Sequence, residues 1–254
     1  MSMPLVSCIV PVRDGERYLP ETLDSIFGQT HTALEVIVVD DGSTDGTAAL
    51  LAGYGGRIVA LRQENAGTPA ARNAGLKRAT GEFVAFLDAD DLWLPEKTAR
   101  QLARFLARPE LQVSFTLIRN FWSPDLPPGR RLADESLTRA VPGYVCPTLL
   151  ARREAFRTVG EFDQALQHST EMAWILAAAE RGLALELLPE VWVKRRLHGA
   201  NVSTLKAGDS QREYLRLLKT WLDRRRRGGG ALTHDFGAFS AGPRPDGDGP
   251  GAGG

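Results

Sequence analysis

The stretch Glu82-Phe83-Val84-Ala85-Phe86-Leu87-Asp88-Ala89-Asp90-Asp91 decides the fold class of this chain. Its first part is mostly apolar, which predicts a buried strand that runs directly into a group of acids. Similar buried strands are predicted at 6–12 and 35–39, and the second of these also ends on an acidic turn, Asp40-Asp41-Gly42-Ser43. Both acidic clusters therefore fall at the carboxyl ends of predicted strands.

Helical patterns separate these strands. Helices are predicted at 20–29, 44–51 and 69–78, and a further strand is predicted at 58–61. Alternation of strands and helices requires a parallel sheet with crossover connections. The sequence therefore predicts an α/β fold with a mostly parallel central sheet, and ligands bind such sheets at the carboxyl edge.

The rest of the chain is less regular. The predicted segments are a helix at 95–106, an irregular stretch at 112–149, a helix at 171–181, extended pieces at 185–189 and 191–193, and an amphipathic helix at 210–227. Gly and Pro dominate beyond that helix, which predicts a disordered tail over 228–254.

One domain over 1–227 is the expected organisation for a chain of this length. It would comprise a nucleotide-binding half (1–100), an acceptor-facing half (101–205) and a C-terminal amphipathic helix (209–227).

Composition and charge limit the partners and the compartment that are expected for this chain. Lys and Arg together number 31, as do Asp and Glu, so no net charge attracts nucleic acid. Cys8 and Cys146 lie in apolar surroundings without metal-ligand spacing, which indicates buried thiols in a reducing compartment. Neither an export signal nor an apolar run of about 20 residues is visible, so a cytoplasmic protein is expected. The run Arg224–Arg227 suits peripheral contact with the anionic inner face of a membrane, although a charge run is more often simply solvated.

Asp88 and Asp90 place two carboxylates one residue apart on a turn. Oxygen ligands of this kind bind Mg²⁺ or Mn²⁺, whose remaining ligands are often substrate phosphates. The alternative is that the acids cap a helix beginning at Asp91-Leu92-Trp93. The acidic turn at 40–43 favours a ligand, because two acid pairs without partners on one edge would repel each other.

Five motifs stand in a characteristic order. They are Val6-Ser7-Cys8-Ile9-Val10-Pro11-Val12, Asp40-Asp41-Gly42-Ser43-Thr44-Asp45, Asn65-Ala66-Gly67, Ala71-Arg72-Asn73-Ala74-Gly75 and Leu87-Asp88-Ala89-Asp90-Asp91. Together they resemble family 2 glycosyltransferases of the Rossmann-like GT-A fold, and the resemblance covers roughly 4–205. It implies that a sugar is transferred with inversion from a nucleotide-diphosphate donor, most naturally a UDP-sugar, to an acceptor hydroxyl or other nucleophile. Mn²⁺ or Mg²⁺ would assist.

The resemblance also implies roles for individual residues. The residues lining the nucleotide pocket would be Pro11, Val12 and Asp14, with Asp41 at the base and Arg72 near the nucleotide or phosphates. Asp88 would contact the ribose or the metal, and Asp90 would be the main protein ligand of the cation. For Arg72 the alternative is an ion pair on the helix surface. At Asp14 the sequence departs from the family, where a pair ending in Asn is usual in place of Arg13-Asp14.

The segment Arg195–Ser203 resembles a basic, His-containing segment that some members use near the diphosphate. His198 would complete the metal shell or donate to phosphate, and Arg195 or Arg196 would neutralise charge. The alternative for His198 is a structural or exposed histidine.

Glu171 is the candidate catalytic base. An inverting transfer needs a carboxylate to remove the acceptor proton, and family members supply it from an acidic pair that opens a helix. Here the corresponding stretch is His168-Ser169-Thr170-Glu171-Met172-Ala173-Trp174, with Ala173 where an aspartate is often found. Glu171 is therefore either the base or an acid that complements the helix dipole.

Two other functions stay open. The first is a catalytically silent protein that binds sugar nucleotides, because of Ala173. The second is a sugar nucleotidyltransferase, which is disfavoured because no Gly-rich, Lys-bearing phosphate loop follows the first strand. The class of acceptor, whether peptide, lipid carrier, polysaccharide or small molecule, and the oligomeric state stay open as well.

Overall fold

The computed structural model describes residues 3–124, 126, 138–166, 169–199 and 207–228. The strands are β1 (Val6–Val12), β2 (Leu34–Asp41), β3 (Val59–Gln63), β4 (Phe83–Phe86), β5 (Leu92–Trp93), β6 (Leu111–Trp122), β7 (Ala140–Pro142), β8 (Leu150–Arg152) and β9 (Ala184–Leu197). The helices are α1 (Leu19–Phe27), α2 (Thr47–Gly53), α3 (Thr68–Arg78), α4 (Lys97–Ala107), α5 (Arg153–Val159), α6 (Thr170–Glu180) and α7 (Ala207–Gly228).

The strands form one mixed sheet in the order β3-β2-β1-β4-β8-β6-β9-β5, and β7 pairs with β6. The first four strands in this order are parallel to one another. β8 then pairs antiparallel with both β4 and β6, whereas β6 and β9 are parallel. The predicted α/β fold is confirmed, with its parallel strands concentrated in the amino-terminal half of the chain.

Helices cover both faces of the parallel strands. In β1, Cys8 and Val10 join the core shared with α1 and α4, whereas Ile9 joins the core shared with α3, α5 and α6. A strand buried on both sides favours apolar residues throughout, which explains why β1 is apolar apart from Ser7. Cys8 and Cys146 are buried and unpaired, which confirms the prediction of buried thiols.

α3 packs unusually close to the sheet. A Cβ atom on Gly75 would lie 2.4 Å from Ile9 Cγ2, so only glycine allows this approach. The neighbouring Asn73 donates from its amide to the Phe162 carbonyl and accepts from the Phe162 amide, both at 2.9 Å. α3 is thereby tied both to β1 and to the segment that precedes α6.

Two predicted segments differ from the structure. The stretch 112–149 was expected to be irregular, but its first part belongs to the long strand β6. Apolar and polar residues alternate from Leu111 to Leu117, a pattern typical of a strand, although Ser114 and Thr116 on the polar side are fully buried. The expectation of a helix beginning at Asp91-Leu92-Trp93 is also wrong, because Leu92 and Trp93 form β5 and pair with β9.

β9 unites the two extended pieces predicted at 185–189 and 191–193. Its pairing with β6 is irregular between Leu187 and Val191, where Pro189 interrupts the pattern. The predicted C-terminal helix is present as α7, and Arg224–Arg227 belong to it. Among the described residues no helix is long and apolar enough to cross a membrane. Membrane contact stays a prediction, and residues 229–254 of the predicted tail lie outside the described residues.

Candidate active site

The carboxyl ends of three neighbouring strands form the edge that carries the predicted site. β1 lies between β2 and β4, with Val12 opposite Asp40 and Ile9 opposite Phe86. The residues that follow these strands therefore meet along one rim, as expected for parallel strands. Pro11 and Val12 are the last residues of β1, and both are buried at this rim.

Asp41 is enclosed by the loop that follows β3. Its Oδ1 accepts from Gln63 Nε2 and from the Ala66 amide, and its Oδ2 accepts from the Gly67 amide, all at 2.8 Å. Gly67 has φ +91°, a conformation that favours glycine. A carboxylate has about four lone-pair positions, so three are filled and one, on Oδ2, is left for a ligand.

The other acid of that turn also has partners, although among the described residues its Oδ2 makes an ion pair and no hydrogen bond. Asp40 Oδ1 accepts from the Ser43 amide at 2.8 Å, and Asp40 Oδ2 lies 3.4 Å from Arg62 Nη1. The expectation that this acid pair lacks partners is therefore wrong. The acid pair at 40–41 therefore gives no argument for a cation site, and the case for such a site depends on the turn at 88–91.

Asp14 ties the loop after β1 to the loop after β2. Its amide donates to Ser43 Oγ at 2.9 Å, and its Oδ1 accepts from the Thr44 amide at 2.7 Å and from Thr44 Oγ1 at 3.2 Å. Its φ of +51° is a conformation that Asn and Asp tolerate better than other residues with a side chain. This explains why Asp can replace the usual Asn there, and its carboxylate is engaged in shaping the rim.

Arg72 joins two acids that are far apart in sequence. Its Nη2 lies 2.7 Å from Asp88 Oδ1 and its Nη1 lies 2.7 Å from Glu171 Oε1. Only 5% of its side chain is exposed, so this is a buried ion-pair network and not the helix-surface pair considered as an alternative. Burial opposes the charge, but the neighbouring anionic groups, Glu171 and Asp88 among them, raise the pKa of the guanidinium above its usual value.

Cys146 lies beneath this network and was not predicted as part of the site. Burial, together with the nearby carboxylates of Glu171 and Asp88, raises the pKa of the thiol well above its usual value. No local signal could have identified it, because the cysteine precedes its partner by 25 residues and lies in a different element.

His198 and Asp90 form the second pair at the rim. His198 Nε2 lies 2.9 Å from Asp90 Oδ2, with 12% and 31% of the two side chains exposed. The ring of Tyr18 packs against the imidazole with 4.8 Å between centroids. The structure therefore brings together the acid and the histidine that were predicted to share a cation.

The family model for glycosyl transferase family 2 matches residues 7–160. The chain belongs to this family. It is 32% identical over 213 residues to an uncharacterized glycosyltransferase of Rickettsia typhi, with 79% of this chain and 66% of that protein covered. It is also 44% identical over 117 residues to the putative teichuronic acid biosynthesis glycosyltransferase TuaG of Bacillus subtilis, covering 44% of this chain and 46% of TuaG. The chain thus spans less than two thirds of the length of these relatives.

Two solved structures share the fold, which confirms the predicted GT-A architecture. The crystal structure of S. aureus TarS 1–349 superposes with a TM-score of 0.60 at 25% identity, covering 76% of this chain and 60% of TarS 1–349. The mannosyltransferase PcManGT of Pyrobaculum calidifontis, solved with GDP-Man and Mn²⁺, superposes with a TM-score of 0.67 at 22% identity. That match covers 91% of this chain and 66% of PcManGT.

The donor set of this family 2 protein fits a divalent cation that is completed by a substrate. Among the described residues, no group of three or more His, Cys, Asp or Glu is arranged to enclose a metal by itself. Asp90 and His198 nevertheless offer an oxygen and a nitrogen donor at a partly exposed rim, and Mg²⁺ sites commonly use one or two protein ligands plus phosphates. Burial and mutual repulsion raise the pKa of both Asp88 and Asp91. This shows that the negative charge of the acids at this turn is incompletely neutralised.

The two arginines predicted to neutralise phosphate differ in position. Arg196 is only 2% exposed, and its side chain contacts Asp90 and Glu21 within the protein. The expectation that Arg196 is available to phosphate is therefore wrong, and among the two only Arg195 retains that predicted role. Residues 200–203, which complete the basic segment, lie outside the described residues.

Proposed function

We propose that this chain transfers a sugar, with inversion, from a nucleotide-diphosphate donor to an acceptor nucleophile, with a divalent cation at Asp90. The observation that carries the proposal is the link made by Arg72 between Asp88 and Glu171. It connects Asp88, which is two residues from the Asp90 that contacts His198, to a second acid, Glu171, on α6. Membership in glycosyl transferase family 2 supports the same reaction class.

The hydrogen bonds of Asp41 favour a uridine donor. The three donors, from Gln63, Ala66 and Gly67, occupy three of the four lone pairs of its carboxylate, and one lone pair on Oδ2 remains. Uracil presents a single N–H donor on its pairing edge, which this lone pair can accept. Guanine presents two adjacent donors, and one of them would be left without an acceptor, at a cost of about 1–3 kcal/mol. A uridine diphosphate sugar is therefore the donor that this pocket suits.

The cation would be held by Asp90 and His198, with Asp88 beside them. When bound, it supplies a Lewis acid that offsets the negative charge of the departing nucleoside diphosphate. The same acids would repel an approaching diphosphate in the absence of a counter-charge, so donor binding is expected to be weaker without the metal.

Glu171 would act as the base. It opens α6 and keeps 21% of its side chain exposed, so an acceptor can reach the carboxylate. The ion pair with Arg72 and the neighbouring thiol of Cys146 would orient the Glu171 carboxylate on its buried side. The carboxylate would take the proton of the acceptor nucleophile while that nucleophile attacks the anomeric carbon from the face opposite the leaving diphosphate.

A panel of sugar nucleotides tests this proposal. Donor binding and donor hydrolysis are measured with Mn²⁺, with Mg²⁺ and with a chelator, in the wild type, in Asp90→Ala and in Asp24→Ala, an exposed aspartate on α1 that serves as control. We expect metal-dependent activity that falls at least about 100-fold in Asp90→Ala and is unchanged in the control.

Three outcomes would contradict the proposal. Full activity in Asp90→Ala would remove the cation site from this turn. Donor binding without hydrolysis or transfer, under all metals and acceptors, would indicate a silent sugar-nucleotide-binding protein. Release of pyrophosphate in place of a nucleoside diphosphate would indicate a nucleotidyltransferase.

A further inference from the structure

The turn Asp88–Asp91 is held from below by two buried side chains that come from different parts of the chain. We infer that Thr22 and Arg196 are positioning residues that fix this turn in the shape that binds the cation. The inference rests on the proposed function, because it assigns a purpose to the geometry of the same turn. Neither residue belongs to the donor, metal or base positions discussed above.

Thr22 lies on α1 and is fully buried. Its hydroxyl is within 3.0 Å of the carbonyl oxygens of both Ala89 and Asp91, and it donates to this pair. The turn also has its own backbone bond, from the Asp91 amide to the Asp88 carbonyl at 3.1 Å. The hydroxyl therefore closes the open side of a four-residue turn.

Arg196 fixes the remaining carbonyl of the turn. Its Nε donates to the Asp90 carbonyl at 2.9 Å, and its backbone amide donates to Asp91 Oδ1 at 2.9 Å. The guanidinium also reaches Glu21 on α1 and contacts the rings of Tyr18 and Phe121, 4.8 and 4.7 Å from their centroids. Such a guanidinium has little freedom to move, because hydrogen bonds and two aromatic rings hold it.

The two side chains together bind three successive carbonyls, those of Ala89, Asp90 and Asp91. A turn whose backbone is fixed in this way presents its carboxylates in one arrangement before the cation arrives. Arg196 is also two residues before His198, which directly follows β9, so the same residue helps to place both members of the Asp90–His198 pair. Supporting residues of this kind often change metal affinity about 10- to 100-fold when they are replaced.

Thr22→Val is the decisive variant, because it keeps the shape of the side chain and removes the hydroxyl. Thr22→Ser restores the hydroxyl, and Arg196→Lys keeps the charge but cannot reach the Asp90 carbonyl and Glu21 together. Arg104→Lys is the matched control, since Arg104 pairs with Glu186 away from the turn. The measurements are Mn²⁺ affinity in the presence of UDP, followed by electron paramagnetic resonance of free Mn²⁺, UDP affinity without metal by calorimetry, and thermal unfolding.

We expect Mn²⁺ affinity to fall about 10-fold or more in Thr22→Val and Arg196→Lys. Thr22→Ser and Arg104→Lys should behave as wild type, and metal-free UDP affinity should be equal in all variants that fold. Wild-type Mn²⁺ affinity in Thr22→Val and Arg196→Lys would overturn the inference, and so would an equal loss of metal-free UDP affinity, which indicates a general structural role. If the wild type itself binds no Mn²⁺ with UDP, the cation in the proposed function fails and the inference fails with it.

Discussion

Arg72 Nη1 lies 2.7 Å from Glu171 Oε1 in a contact that joins two halves of the chain. Arg72 comes from α3, which packs on β1 and β2, whereas Glu171 opens α6. The same guanidinium holds Asp88 at the end of β4. The position of the proposed base relative to the donor site is therefore set by one buried arginine and not by either helix alone.

Glu171→Gln should separate donor binding from transfer. The amide keeps an oxygen that can accept from Arg72, so the network should persist, but it cannot remove a proton. We expect the rate of transfer to fall by about 10²- to 10⁴-fold, while UDP affinity stays at the wild-type level. Transfer is measured by product release and affinity by calorimetry.

Glu161→Gln provides the matched control, because Glu161 pairs with Lys77 at an exposed position. Its rate should equal that of the wild type. Unimpaired transfer by Glu171→Gln would show that the base lies elsewhere and that the acid at the start of α6 serves the helix dipole.

The central strands of the parallel half were predictable because they are buried on both faces. β1 and β4 are almost entirely apolar for this reason, and an acid stands two positions after the end of each. β6 also carries a local signal, because apolar and polar residues alternate from Leu111 to Leu117. The burial of its polar side could not be predicted, because Gln101 of α4 donates to the Ser114 carbonyl inside the protein and belongs to a different element.

The site shows the same division. The acids and the histidine could be predicted from motifs, but the groups that neutralise or orient them could not. Asp41 is bound by Gln63 and the loop at 65–67, and Arg72 reaches Glu171 across many intervening residues. The sequence indicated Arg195 or Arg196 as the residue that neutralises phosphate charge, and the structure places Arg196 in the protein interior.

Gln63→Ala should weaken the discrimination between uridine and guanosine nucleotides. In the wild type Gln63 occupies a lone pair on Asp41 Oδ1, which guanine would need for its second donor. We expect the wild type to bind UDP at least about 10-fold more tightly than GDP, a difference of about 1.4 kcal/mol. Removal of the Gln63 side-chain amide should lower the ratio of UDP affinity to GDP affinity, mainly because GDP binds more tightly.

Calorimetric titration of both nucleotides checks this prediction, with Gln112→Ala as the control. The Gln112 amide donates to the Glu110 carbonyl, and its loss should leave the ratio unchanged. An identical UDP to GDP ratio in Gln63→Ala would mean that the lone-pair count at Asp41 does not determine the choice of base.

Gly75→Ala should destabilise the protein and impair transfer together. The new Cβ would approach Ile9 Cγ2 to 2.4 Å, so α3 has to shift away from β1 and carry Arg72 with it. Overpacking of this kind costs about 1–3 kcal/mol. Gly53→Ala is the control, because no atom lies within 4 Å of its new Cβ, and it should stabilise α2 by about 0.5 kcal/mol. Urea unfolding measures both changes, and a Gly75→Ala variant as stable as wild type would contradict the close packing of α3.

Lys97 is the least expected residue of the core. It is fully buried, and within the described part of the chain its Nζ has no hydrogen-bond partner. The ammonium lies 4.2 Å from the centroid of the Trp93 ring, a contact that offsets only part of the cost of burial. Burial lowers the pKa of Lys97 to about 7, against a smaller opposing effect of Cys8. The unfolded chain, in which Lys97 has its ordinary pKa of about 10.4, therefore binds a proton more tightly than the folded protein does.

Lys97→Met should stabilise the protein in a pH-dependent manner. The burial of the Lys97 ammonium lowers the free energy of unfolding, and this destabilisation is fully present below pH 7. It declines as the pH rises from the pKa of the folded protein to that of the unfolded chain, and it vanishes above both. The advantage of Lys97→Met over wild type in free energy of unfolding should therefore shrink by roughly 3 kcal/mol between about pH 6 and pH 9.5, at about 1.4 kcal/mol per pH unit. Urea unfolding at several pH values measures this difference, and Lys77→Met, at an exposed lysine, should show no such trend. If the difference in free energy of unfolding between Lys97→Met and wild type stays constant with pH, Lys97 remains charged inside the protein across this range.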